Sequence, residues 1–229
     1  MEKSARRAGE PLWPSGRAIR LIIVGKMSGI TTILFDIGGV LLTDGWGHDS
    51  RRAAAAQFKL DWDDFSDRHE KVAHMIETNR LALERYFDLV IFYRPRSFSR
   101  DAFREFVFAQ SQPNLEALEI ARQLAGLKKY FLATLNNEVL ELNLYRIQHF
   151  DLGKYFSVFF SSCFLGLRKP DEAIYRAVLN VTESSPNQCV FIDDREVNLD
   201  CPHELGLRTI HFQDAIQLRR ELRENGVAL

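Results

Sequence analysis

Apolar residues gather in five short runs rich in β-branched or aromatic side chains: TTILFD (31–36), KYFLAT (129–134), SVFFSS (157–162), QCVFID (188–193) and LRTIHF (207–212). Runs of this length and make-up predict buried strands. Between the last four, apolar residues recur at helical spacing in EVLELNLYRIQHF, DEAIYRAVL and EVNLDCPHELG. Pro170 leads into the second of these, as suits a helix's first turn, and Gly206 ends the third as a plausible C-cap. QDAIQLRRELRENG reads as an amphipathic surface helix. Strands alternating with helices predict a parallel sheet covered on both faces.

The alternation breaks after the first run. RRAAAAQFKL, DDFSDRHEKVAHMIETNRLALERYFDLVIF and DAFREFVFAQ carry helical patterns and almost no strand character. NLEALEIARQLAG then returns the chain to the second strand. The pattern predicts an α/β fold: a Rossmann-like parallel sheet of about five strands flanked by helices, with an inserted α-helical cap. The expected division is a core over 27–48 and 113–229 and a cap over 49–112.

Length and composition narrow the picture further. A chain of 229 residues suits one domain with a sizeable insertion. A formal net charge of -1 gives no global field for nucleic acid or an anionic membrane, so neither is an expected partner. Cys163, Cys189 and Cys201 lack metal-ligand spacing, which points to reduced thiols and a cytoplasmic setting. No apolar run approaches the roughly 18 residues that span a bilayer. Residues 1–26 are basic and broken by Pro and Gly, and the apolar LIIV is too short for a signal-peptide core. Glu2 and Glu10 argue against a transit peptide. This segment is expected to be an extension outside the fold, mostly disordered, with Met27 opening the domain.

In an open parallel sheet, ligands bind at the carboxyl ends of the strands. The first run ends in Asp36, followed by Gly38 and Gly39, which permit tight turning near a ligand. The second is read as ending at Thr134, ahead of Asn136 and Asn137. The third leads to GLRKP with Lys169. The fourth ends in Asp193 and Asp194, with Asn198 a turn beyond. Clustered carboxylates repel unless a cation sits among them. Oxygen ligands without paired His or Cys favour Mg²⁺ over zinc. Magnesium and a lysine together suit a phosphate, and a carboxylate can act as the nucleophile.

Four motifs in this order resemble the haloacid dehalogenase-like superfamily, in the branch with a helical cap after the first motif. The resemblance covers roughly residues 31–215. FDIGGVL resembles its first motif, which implies Asp36 as nucleophile and metal ligand. FLATLNN resembles the second, with Thr134 on the phosphate, and GLRKPDEAIY the third, with Lys169 on the phosphate. FIDDREVN resembles the fourth, with Asp194 on Mg²⁺ and Asp193 beside it. Backbone N–H groups at Asn136 and Asn137, and the Asn198 side chain, are further phosphate-site candidates. The resemblance implies a Mg²⁺-dependent phosphatase of a small phosphorylated metabolite, working through an aspartyl-phosphate.

One position departs from that pattern. Phosphatases of the family usually carry a second Asp two residues after the nucleophile, as general acid and base. Here Gly38 stands there; its carbonyl still suits the metal, but the proton shuttle is gone. Asp44 and His48, on the loop TDGWGHD, are candidate substitutes. Two other readings stay open: a phosphate-binding or regulatory protein without turnover, and a metal-independent dehalogenase using Asp36. In the cap, Tyr86, Phe92, Tyr93, Arg94 and Arg96 are candidates to face substrate. The sequence leaves monomer and homodimer equally open.

Overall fold

The computed structural model describes residues 29–229. The expected extension over 1–26, and Met27 as its boundary, lie outside the described residues. Thr32–Phe35 form β1. Four helices follow: α1 (His48–Gln57), α2 (Trp62–Glu77), α3 (Leu83–Val90) and α4 (Arg100–Ala109). The chain continues with α5 (Leu115–Leu127), β2 (Phe131–Asn136), α6 (Leu140–His149) and β3 (Val158–Ser161). A single turn, α7 (Ser162–Leu165), precedes α8 (Glu172–Thr182) and β4 (Cys189–Asp193). The last elements are α9 (Asp200–Glu204), β5 (Arg208–His211) and α10 (Ala215–Glu224).

The five strands form one parallel sheet in the order β3-β2-β1-β4-β5. The first strand in sequence is therefore central, which explains why all four of its residues are buried. Ile33 and Phe35 pack on one face with Ile120 and Leu124 of α5 and Leu218 and Leu222 of α10. Leu34 packs on the other with Ala133, Phe191 and Ile174, Tyr175 and Val178 of α8. Each fully buried large side chain here contributes about 1.5–3 kcal/mol. Chain order reverses direction between β1 and β4, so the switch point lies where Asp36 and Asp193 end neighbouring strands.

The inserted helices carry a separate apolar cluster. Trp46, Phe65, Tyr86, Phe87 and Phe103 meet there, and Val139 at the start of α6 and Leu142 within it join them. Short polar residues start these helices: Asp61 caps α2 by accepting from the Asp64 N–H, and Ser99 caps α4 at 3.1 Å from the Ala102 nitrogen. Among the described residues, no helix is long and apolar enough to cross a membrane.

Three details differ from the sequence reading. The second strand begins two residues later than expected and runs on to Asn136, because Leu135 and Asn136 continue the ladder with Phe160 and Ser161. Pro170 stands before α8 rather than within it; the helix starts after Asp171. The segment read as one helix over EVNLDCPHELG is a 3₁₀ turn followed by the five-residue α9.

Candidate active site

The strand ends open onto a cleft of about 540 Å³. Asp36, Gly38, Asn137, Lys169, Asp194 and Asn198 form its floor, and Arg51, His69, Glu70 and Glu77 of α1 and α2 form the opposite wall.

Asp36 lies one residue past β1 and is buried. Its Oδ1 accepts the Ile37 N–H at 2.7 Å and its Oδ2 lies 3.0 Å from Lys169 Nζ. Lys169 is 1% exposed, a placement a lysine adopts only when paired. Its ammonium reaches Asp193 Oδ2 at 2.5 Å. Burial alone would lower the Lys169 pKa, but Asp36 and Asp193 outweigh it and hold the ammonium charged. Asn137 fixes the lysine from behind: its Nδ2 donates to the Lys169 carbonyl and its Oδ1 accepts the Lys169 N–H, both at 2.9 Å.

Asp193 is fully buried, with its oxygens already engaged. Besides Lys169, it accepts the Arg195 N–H at 2.9 Å and Asn198 Nδ2 at 3.0 and 3.2 Å. Asp194 is half-buried and far less engaged. Burial first, then the Asp193 charge, pushes its carboxyl up to about 6. Gly39 sits against it with φ +76°, and a Cβ there would overlap the Asp194 carboxylate. Burial, together with Asp193 and Asp194, also raises the Asp36 carboxyl despite Lys169.

One oxygen each from Asp36, Asp193 and Asp194 lies within 4.8 Å of the others. Three carboxylates face one ammonium, so the site carries excess negative charge that a hard divalent cation would neutralise. The donor set and the glycine cradle at Gly39 fit Mg²⁺.

Two of the candidates on the second strand stand elsewhere. Thr134 does not line the cleft. It pairs with Phe35 inside the sheet, is fully buried, and its hydroxyl has no hydrogen-bond partner among the described residues. The cause is the longer β2, which carries the strand end past it. The Asn136 side chain is likewise withdrawn into a closed network: it accepts from Ser161 Oγ at 2.8 Å and donates to Asn143 Oδ1 at 3.0 Å. Asn143 completes the ring by donating to Ser161.

The loop after Gly39 returns Asp44 to the site. Asp44 Oδ1 lies 3.3 Å from where a Cβ on Gly38 would be, so its carboxylate fills the space in front of that glycine. Asp44 is exposed at the mouth of the cleft, with its carboxyl turned inward toward Gly38 and Gly47. Desolvation of that carboxyl raises its pKa, against the opposing charges of Arg195, Arg146 and Arg51. His48 sits at the exposed rim, 3.1 Å from Asp49 and edge-on to Trp62. Of the cap candidates, Tyr86 is fully buried under the cleft wall. Phe92, Tyr93, Arg94 and Arg96 do not line the cleft, and Arg94 and Arg96 lie over the Tyr93 ring.

Several cleft residues escaped the sequence reading. Arg146 is 1% exposed and pairs with buried Glu138 at 2.6 Å. It also donates to the Thr43 carbonyl, which ties down the loop that carries Asp44. A signal existed: Val139, Leu142, Asn143 and Arg146 share one helical stripe, so a charge stands on a buried face. Arg51, Arg168 and Arg195 had none, because they stand in ordinary polar stretches.

Known proteins resemble this chain in sequence and in fold. The chloroplast flavin mononucleotide hydrolase 1 of Arabidopsis thaliana is 38% identical over 76 residues, spanning 33% of this chain and 31% of that protein. The chain thus aligns with under a third of that relative's length. A crystal structure of a HAD family enzyme from Bacteroides thetaiotaomicron superposes with a TM-score of 0.70 at 20% identity, covering 81% of this chain and 95% of that one. The same enzyme in complex with magnesium and inorganic phosphate gives 0.68 at 20% identity, with 81% and 96% covered. A family model for haloacid dehalogenase-like hydrolases matches residues 30–202, and the chain belongs to that family.

Proposed function

We propose that this hydrolase is a Mg²⁺-dependent phosphatase of a small phosphorylated metabolite, working through an aspartyl-phosphate on Asp36. The carrying observation is the buried Lys169 held between Asp36 and Asp193 at the floor of the cleft. The named activity of the flavin mononucleotide hydrolase relative, and the magnesium and phosphate bound in the Bacteroides neighbour, support the reading.

Asp36 and Asp194, with the Gly38 carbonyl, would hold the metal, which would supply charge neutralisation at the phosphoryl oxygens. Asp193 serves as the counterion that positions Lys169. Lys169 binds the phosphoryl group as a point charge. An Asp36 oxygen attacks phosphorus while the ester P–O bond breaks. Asp44, protonated, gives its proton to the leaving oxygen. As a carboxylate it then takes a proton from water, which attacks phosphorus, breaks the P–O bond to Asp36 and releases phosphate. The place of the Asp44 carboxylate in front of Gly38 favours the acid role, and its raised pKa runs the same way. His48 has no place in this scheme.

The test is phosphate release from an aryl phosphate with and without Mg²⁺. Activity that needs Mg²⁺ and disappears in Asp36→Asn supports the enzyme. Gly38 keeps a second reading alive, a phosphate binder without turnover: absence of release across sugar phosphates, nucleotides and acyl phosphates would favour it.

A further inference from the structure

The cleft wall opposite Lys169 carries donors that nothing among the described residues satisfies. Arg51 Nη1 donates to the Trp46 carbonyl at 2.7 Å. Its Nε is buried without a hydrogen-bond partner, and the guanidinium pairs with no carboxylate among the described residues. Its neighbours differ: Arg146 is paired with Glu138, and Arg168 with Glu77 at 3.1 Å. A desolvated guanidinium with a vacant donor is costly unless a ligand completes it.

His69 adds a second donor. Trp46 Nε1 and His69 Nδ1 both lie 2.9 Å from the Tyr86 hydroxyl. An indole N–H only donates, so Tyr86 accepts from Trp46. Tyr86 is fully buried, and its own proton has one acceptor in reach, His69 Nδ1. His69 therefore carries its proton on Nε2. Burial, then the Arg51 charge, holds the imidazole neutral, with its pKa at about 3. Nε2–H has no partner among the described residues, and His69 lines the cleft. Glu70, Glu77 and Asp44 face the same space; Arg168 engages Glu77, and Ser66 donates to Glu70.

We propose that Arg51 and His69 form a second oxyanion subsite, so that preferred substrates carry a carboxylate or a second phosphate on the organic part of the phosphate ester. The inference rests on the reading that Asp36 and Lys169 hold the reacting phosphoryl group. The subsite binds and orients; it takes no part in bond breaking.

The test uses Asp36→Asn protein with Mg²⁺, so that nothing is hydrolysed, and calorimetric titration of matched pairs. These are phosphoglycolate with ethyl phosphate, 3-phosphoglycerate with glycerol 3-phosphate, and 6-phosphogluconate with glucose 6-phosphate. Inorganic phosphate reports the floor of the site alone. The expected result is binding about 10- to 100-fold tighter for the doubly anionic member of at least one pair, the effect of one or two charge-assisted hydrogen bonds. Adding Arg51→Met abolishes that ratio and leaves inorganic phosphate unchanged. Arg51→Lys, which keeps the charge but not the fork, retains part of it. Equal affinities within every pair, with inorganic phosphate still bound, overturn the subsite alone, as does a preference that survives Arg51→Met. If neither inorganic phosphate nor any ester binds, the phosphatase reading fails and the subsite fails with it.

Discussion

The Asp44 carboxylate occupies the space in front of Gly38, 3.3 Å from the point where a Cβ would stand. Gly47 makes room on the other side, where a Cβ would overlap the same carboxylate. The loop thus delivers an acid to the position the missing side chain would have faced.

Asp44→Asn is expected to slow turnover of a poor leaving group, such as an alkyl phosphate, by about 10²–10⁴-fold. An acyl phosphate, whose leaving group needs little protonation, slows far less. Gly38→Asp combined with Asp44→Ala moves the carboxylate back along the chain and is expected to recover part of the loss. Steady-state kinetics on the two substrate types decide it; equal loss on both would remove Asp44 from proton transfer.

Much of the fold was legible because buried central strands are short apolar runs, and β1, β3, β4 and β5 each lie within the run that announced them. The end of β2 was not legible. Leu135 and Asn136 look like loop residues, yet β3 gives their backbone a ladder partner, and that removes Thr134 from the cleft. The floor of the site was readable because Asp36, Asp193 and Asp194 stand at strand ends and Lys169 on the loop that follows β3 and α7. The opposite wall was not, because Arg51 and His69 become distinctive only when α1 and α2 fold over the sheet.

Arg146→Met leaves Glu138 buried without its partner. Breaking a buried pair in this way costs about 3–5 kcal/mol. Urea unfolding is expected to show this loss, and Glu138→Gln with Arg146→Met is expected to recover part of it. Additive single losses in the double variant would deny the coupling. Activity should fall too, since Arg146 also anchors the Thr43 carbonyl.

His69 gives the stability a pH dependence of known sign. Its folded pKa is about 3, below the ordinary 6.5, so the unfolded chain binds a proton that the native state refuses. Its contribution is present above about pH 6.5 and is lost as pH falls toward 3. Between pH 6.5 and 5 the loss is about 2 kcal/mol, at 1.36 kcal/mol per unit. Denaturation at several pH values should show a smaller slope in His69→Gln; an unchanged slope would contradict a buried neutral imidazole.

Asn137→Ala removes both hydrogen bonds to the Lys169 backbone. Stability is expected to fall by about 1–3 kcal/mol. The kcat is expected to fall about tenfold with little change in KM, because the lysine is still present but less well placed. A larger effect on KM than on kcat would mean that Asn137 contacts substrate directly.

The central claim is that phosphate passes through Asp36. Quenching the enzyme with borohydride during turnover of an aryl phosphate reduces an acyl phosphate to an alcohol. Peptide mass spectrometry then reads residue 36. The account predicts conversion of the Asp36 side chain to the alcohol, dependent on substrate and absent in unreacted protein. Phosphate release at full rate with the Asp36 carboxyl always intact would contradict it.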